Sequence, residues 1–163
     1  MKVLFDHQIF QLQEFGGISR YFTSLIRSLR DEHGIDCVTS VKYSKNVHLA
    51  TLMGDQIEPP GNRESELGRF MGGAKFKGKK RLFDRWIRVK PPLYARYEAL
   101  NKENSIKLLR AGDYDLFHPT YYDEYFMEHL DGKPFVLTVY DLIHEIFPEF
   151  AVYWEPNKTR RLL

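Results

Sequence analysis

Residues 2–29, KVLFDHQIFQLQEFGGISRYFTSLIRSL, decide the fold. KVLF (2–5) is a short apolar run closed by Asp6, the pattern of a buried strand. A polar loop follows as far as Gly17. From Ile18 onward, Tyr21, Phe22, Leu25, Ile26 and Leu29 recur at helical spacing, while Ser19, Thr23, Arg27 and Arg30 fall elsewhere. That spacing predicts an amphipathic helix, with Gly34 as its stop. Residues 36–43 (DCVTSVKY) are β-branched and partly alternating, so they read as a second strand.

Working outward, residues 44–92 hold no single period and are broken by Gly54, Pro59, Pro60, Gly61, Gly68, Gly72, Gly73 and Gly78. They read as a long excursion with short helices, a feature that inside a domain is usually functional or mobile. Helical spacing resumes over 93–110, through Leu93, Tyr97, Leu100, Ile106, Leu108 and Leu109, with Gly112 as the stop. Two compact apolar segments come next, 115–118 (DLFH) and 134–139 (PFVLTV), which read as parallel strands buried on both faces. Residues 157–163 look like a helix cut short, which leads to the expectation that the natural chain continues.

Strands alternating with helices predict an α/β fold, a doubly wound parallel sheet occupying one domain over residues 1–163. In such sheets ligands sit beyond the carboxyl ends of the strands. The segments to examine are therefore 6–17, 118–123 and 140–149.

The 163 residues, 43% hydrophobic and 15% aromatic, suffice for one real core and argue against disorder. A single cysteine, Cys37, forms no internal disulfide, and no charged leader with a long apolar run opens the chain. The expected setting is reducing and cytoplasmic. No segment approaches the roughly 20 apolar residues of a membrane span. A net charge of +2 does not by itself imply nucleic acid. The charge is unevenly placed, however: residues 75–90 hold eight cations (Lys75, Lys77, Lys79, Lys80, Arg81, Arg85, Arg88, Lys90) against Asp84 alone.

Four groups can carry chemistry. Gly16 and Gly17 stand between a strand and a helix, where they make either a tight turn or a close approach to phosphate at the helix N-terminus, and Ser19 can cap that helix. The pattern lacks the three glycines of the dinucleotide fingerprint and the lysine of a phosphate-binding NTPase loop, so neither a nicotinamide cofactor nor an NTPase is expected. HPTYY (118–122) follows a strand, so His118 either hydrogen-bonds a hydroxylated ligand or satisfies backbone groups, and the tyrosines either face a sugar or pack the rim. Asp141, after the next strand, either contacts sugar hydroxyls or caps the following segment. His144-Glu145 lacks the second histidine of a zinc-protease helix, so no metal is expected. Cys37, within a strand, reads as an inert buried thiol.

In residues 76–90, Phe76, Leu82, Phe83, Trp86, Ile87 and Val89 alternate with the cations. If helical from Lys79, the segment puts Leu82, Phe83, Trp86 and Ile87 on one side, with Lys80, Arg81, Arg85 and Arg88 on the flanks. Such a helix either packs on the domain with a solvated basic face or lies on anionic lipid through Lys79, Lys80, Arg81, Arg85 and Trp86. A nucleic-acid partner is not expected.

Taken in order, FDHQIFQLQEFGGISRYFTSLIRSL (5–29), DLFHPTYYDEYF (115–126) and KPFVLTVYDLIHEIFPEF (133–150) resemble the N-terminal half of glycosyltransferase family 4. The resemblance covers both ends of the chain and leaves about 44–92 without a counterpart. It implies the Rossmann-like, acceptor-side half of a two-domain GT-B enzyme, with Gly16, Gly17 and Arg20 near the phosphates of a nucleotide-sugar donor. It also implies transfer with retention to a glycan or lipid-linked acceptor, with no cofactor or metal, in cell-surface polysaccharide synthesis. His118 and Asp141 would position the acceptor, and Tyr121, Tyr122 and Tyr140 would contact it. Where the family has Thr-x-His-Asp, this chain has Thr138-Val139-Tyr140-Asp141, so from that motif only Asp141 carries over, and Asp141 and His118 are the catalytic residues the resemblance implies. The donor-binding half has no counterpart in the 163 residues, which implies a domain inactive by itself. A non-catalytic sugar- or lipid-binding module of the same fold is the alternative, and a nucleotide-dependent epimerase a third.

Overall fold

The computed structural model describes residues 1–140. The chain is mixed α/β, built on a three-stranded parallel sheet in the order β2-β1-β3. The strands are β1 (Lys2–Phe5), β2 (Asp36–Thr39) and β3 (Leu116–His118). Their register pairs Phe5 with both Thr39 and His118, so all three carboxyl ends emerge at one edge.

Alternation along β1 explains why the strand is apolar throughout. Val3 and Phe5 point to a core with Ile9, Phe10, Phe22, Ile26, Cys37, Val41, Leu49 and Ile57. Leu4 points the other way, to Leu109, Tyr114, Phe117, Phe126 and Leu130. The first core is covered by α2 (Gly17–Asp31) and α3 (Val47–Met53). The second is covered by α6 (Leu93–Ala111) and a 3-10 turn at Glu124–His129. α2 buries Phe22 and Ile26, as their spacing requires, and α6 ends on Gly112, whose φ of 67° lies in the left-handed region that glycine favours.

Three segments differ from expectation. The loop after β1 contains a short helix, α1 (Gln8–Leu12), which buries Gln8, Ile9 and Phe10 but is too brief to show a period. β2 ends at Thr39, short of the expected Tyr43: Ser40 N–H makes its last ladder bond, to the Phe5 carbonyl at 2.9 Å, and the buried Ser40 hydroxyl meets Ser105 at 2.5 Å. The segment 134–139 is not a doubly buried strand: it makes one parallel bridge, Phe117 with Phe135, through Phe117 N–H to Pro134 O (3.1 Å) and Val136 N–H to Phe117 O (2.9 Å). Pro134 offers no N–H, and Val136 and Val139 are exposed, so the run lies along the sheet edge without extending the ladder.

The excursion carries short helices as expected: α3, α4 (Arg63–Arg69) and α5 (Lys79–Val89), with 3-10 turns at Gly54–Gln56 and Phe70–Gly73. Asn62 caps α4 in a reciprocal box with Ser65. Asp141 and the helix expected at 157–163 lie outside the described residues.

Candidate functional site

The carboxyl edge of the sheet is organised by Asp6, the first residue past β1, which is fully buried. Its Oδ1 accepts from Thr120 N–H (2.9 Å), Thr120 Oγ1 (2.6 Å) and Gln8 N–H (3.3 Å). Its Oδ2 accepts from Gln8 Nε2 (2.7 Å) and Tyr125 OH (3.1 Å). A carboxylate this saturated is a clasp: it ties the loop after β1 to the loop after β3 and has little capacity left for a substrate proton. Gln8 completes the clasp through Asp123, taking its N–H (2.7 Å) and donating to its carbonyl (3.0 Å). Beside it, His7 Nδ1 shares a 2.6 Å hydrogen bond with Ser105 Oγ, which also meets Ser40. Burial lowers the pKa of His7.

His118 ends β3 almost fully buried, its ring 5.4 Å from Phe5 and edge-on to Phe22 at 5.2 Å. Its Nε2 shares a 2.9 Å hydrogen bond with Thr138 Oγ1. Burial, only partly opposed by Asp6, pushes its pKa down to about 4, so the imidazole is neutral at pH 7.

Around His118 stands an aromatic wall. Tyr140 is stacked on Tyr121 at 6.5 Å and edge-on to Tyr122, Phe22 and Tyr21 at 5.9, 6.2 and 6.4 Å. Its hydroxyl donates to Thr120 O (3.1 Å), and its N–H donates to the Tyr122 hydroxyl (3.0 Å). Burial first, then the neighbouring tyrosines, raise its pKa and keep it a neutral donor. Tyr21 is exposed, so the wall reaches solvent. The first turns of α2 thus touch the residues after β3, and the structure brings together His118, Tyr121, Tyr122 and Tyr140.

Gly16 is the N-cap of α2, in an extended conformation open to any residue. A Cβ there would lie 2.2 Å from Gln13 Oε1, so a larger residue would displace that side chain. That same oxygen accepts from Ser19 N–H at 3.2 Å and caps the helix, while Ser19 Oγ donates instead to Gly16 O (3.0 Å). A Cβ on Gly17 would meet nothing within 4 Å, so its surroundings are open. Arg20 is placed in a separate groove: with Thr23, Ser24, Arg27, His48 and Thr51 it lines an open space of about 210 Å³ between α2 and α3.

In α5 the sidedness differs from expectation. Phe83 is buried, with Phe70 at 5.4 Å and Trp86 at 5.9 Å, but Leu82 is exposed and stands apart from them. Trp86 turns inward onto Phe70 (5.4 Å), and Lys79 Nζ donates to Gly68 O (3.1 Å). Lys80, Arg81 and Arg85 remain exposed.

Sequence reasoning misses Asp6, Gln8, Gln13, Ser105 and Thr120. The single available signal is position, since Asp6 and Thr120 each follow a strand end at the ligand-bearing edge. The chain matches no protein-family model, no curated protein and no solved structure.

Proposed function

We propose that this chain is the Rossmann-like, acceptor-side domain of a retaining GT-B glycosyltransferase, acting in transfer of a sugar from a nucleotide-sugar donor to a glycan or lipid-linked acceptor. The observation that carries the reading is the meeting of Tyr21 and Phe22 of α2 with His118 and Tyr140 at the carboxyl edge of a parallel sheet. Tyrosine faces bind the C–H faces of pyranose rings. His118, neutral and anchored through Thr138, is a positioning group for an acceptor hydroxyl. Asp141, next in sequence after Tyr140, would take a second hydroxyl. The open space at Gly17, beside the positive end of α2, suits a donor phosphate. Leaving-group charge on a diphosphate would be stabilised there by backbone N–H groups.

One observation favours a second reading, a sugar-binding module without chemistry: Asp6 and His118 are both committed to internal hydrogen bonds. Saturation-transfer NMR on the 163-residue chain separates the readings. Oligosaccharide ring protons should receive saturation, and Tyr140→Ala should abolish it. Nucleotide-sugar signals should appear as well and weaken in Gly17→Ala. Glycan contact without any nucleotide-sugar contact would leave the binding module. Failure of every glycan to bind would remove both readings.

A further inference from the structure

The most one-sided charge in the chain lies on α5 and its approach. Residues 75–90 hold eight cations against Asp84, and Asp84 is already paired with Arg63. The inner side of the helix is occupied by Phe83, Trp86 and Phe70. Its outer side is different. Arg81, Arg85 and Arg88 recur at i, i+4 and i+7 and share one face. Among the described residues none of the three makes a hydrogen bond or an ion pair. Beside this ridge Leu82 and Val89, also seven apart, are 44% and 87% exposed, and Met71 and Phe76 nearby are 59% and 42% exposed. Gly78, Arg81, Leu82, Asp84, Arg85 and Arg88 line an open groove of about 650 Å³.

We infer that the outer side of α5, with Arg81, Arg85 and Arg88 as its cations and Leu82 and Val89 as its apolar strip, docks on the surface of an anionic phospholipid bilayer. Guanidinium forks match phosphate oxygens two at a time, and aliphatic side chains alongside them bury in the boundary between headgroups and acyl chains. Both groups sit on one side of one helix, as interfacial binding requires. Nucleic acid would use the cations but not the aliphatics, because bases stack on aromatic rings. Phe83 and Trp86 face inward here, and Phe76 alone of the three rings in 75–90 is exposed. At 11 residues, or roughly 16 Å, α5 lies along a membrane and does not cross it. Among the described residues no helix is long and apolar enough to cross one. The inference does not depend on sugar transfer.

Flotation of the 163-residue chain with vesicles tests it. The chain should rise with vesicles of phosphatidylcholine mixed with phosphatidylglycerol, and not with phosphatidylcholine alone. Each cation removed should loosen binding roughly fivefold, so Arg81→Glu/Arg85→Glu/Arg88→Glu together should lose at least about a hundredfold. Leu82→Ser/Val89→Ser should weaken binding while leaving its salt dependence in place. Lys107→Glu, an exposed cation on α6, should change nothing. Circular dichroism checks that each variant keeps its helix, and where the triple glutamate variant does not, the triple glutamine variant decides. Flotation of the triple variant equal to the unaltered chain would overturn the inference. So would binding of the unaltered chain to single-stranded polyuridine with no binding to either vesicle.

Discussion

Two carboxylates show how differently the chain treats charge at the sheet edge and on α5. Asp6, at the edge of the sheet, is buried under five hydrogen bonds from Gln8, Thr120 and Tyr125. Asp84, on α5, has one partner, Arg63, and both side chains are about two-fifths exposed. At the sheet edge polar groups are consumed internally, so what reaches a ligand is shape: a neutral imidazole and tyrosine faces held in place. On α5 Arg81, Arg85 and Arg88 point outward without partners among the described residues, so what this face offers is charge. The first arrangement suits a ligand of defined stereochemistry, the second a surface that is only negative.

The largest effect should come from Asp6→Ala. It orphans donors on three residues at once, and an unsatisfied buried group costs about 1–3 kcal/mol. Denaturant unfolding should show a loss of about 3–5 kcal/mol, against near zero at Asp84. A loss below about 1 kcal/mol would mean that the clasp does not tie the loops together.

Acid should expose the same contrast. The ordinary histidine pKa is 6.5 and that of folded His118 is about 4, so the unfolded chain takes up a proton first as pH falls. Stability is therefore full above about pH 6.5 and is lost as pH falls toward 4, by at most about 3 kcal/mol from this residue. His7 acts in the same direction. Comparing unfolding at the two ends of this range, His118→Gln should flatten part of the slope while keeping a partner for Thr138. An unchanged slope would show that the imidazole is not held neutral.

The glycine pair sharpens the comparison at smaller scale. Gly16→Ala must push the Gln13 side chain off Ser19 N–H, which removes a helix cap worth about 1 kcal/mol. Gly17→Ala meets open space inside the first turn of a helix and should be neutral within about 0.5 kcal/mol. Gly17 is thus the clean probe of phosphate contact, and a large loss of stability there would show the site to be structural.

The frame of the fold is legible because it is periodic. Residues 18–29 and 93–110 repeat at helical spacing and form α2 and α6 within about two residues, and KVLF forms β1 as its apolar run requires. The helix at Lys79 is legible too, and so is the inward side formed by Phe83 and Trp86; Leu82 departs from it, because the inner partner is Phe70, from a separate turn that no local period reveals. At the sheet edge, position after a strand points to His118 and the tyrosines. The clasp is not visible in this way. Asp6 and Thr120 are 114 residues apart and Gln8 and Asp123 are 115 apart, so no local pattern links them. The run 134–139 misleads because apolarity is the same for a central strand and for chain lying along an edge; Pro134 was the signal for the edge.

The smallest expected change in stability is the most informative about α5. Asp84→Ala breaks an exposed ion pair, worth at most about 1 kcal/mol and often nothing measurable. It takes residues 75–90 from eight cations and one anion, a net +7, to a net +8, and it frees Arg63 as well. If α5 works through charge, unfolding should stay within about 0.5 kcal/mol while affinity for anionic vesicles rises, by up to about fivefold. A helix held in place by the Arg63 pair would behave in the opposite way, losing stability and binding together, because the Phe70, Phe83 and Trp86 cluster beneath it would loosen. The sign of the change in flotation therefore distinguishes a charged docking face from a strut.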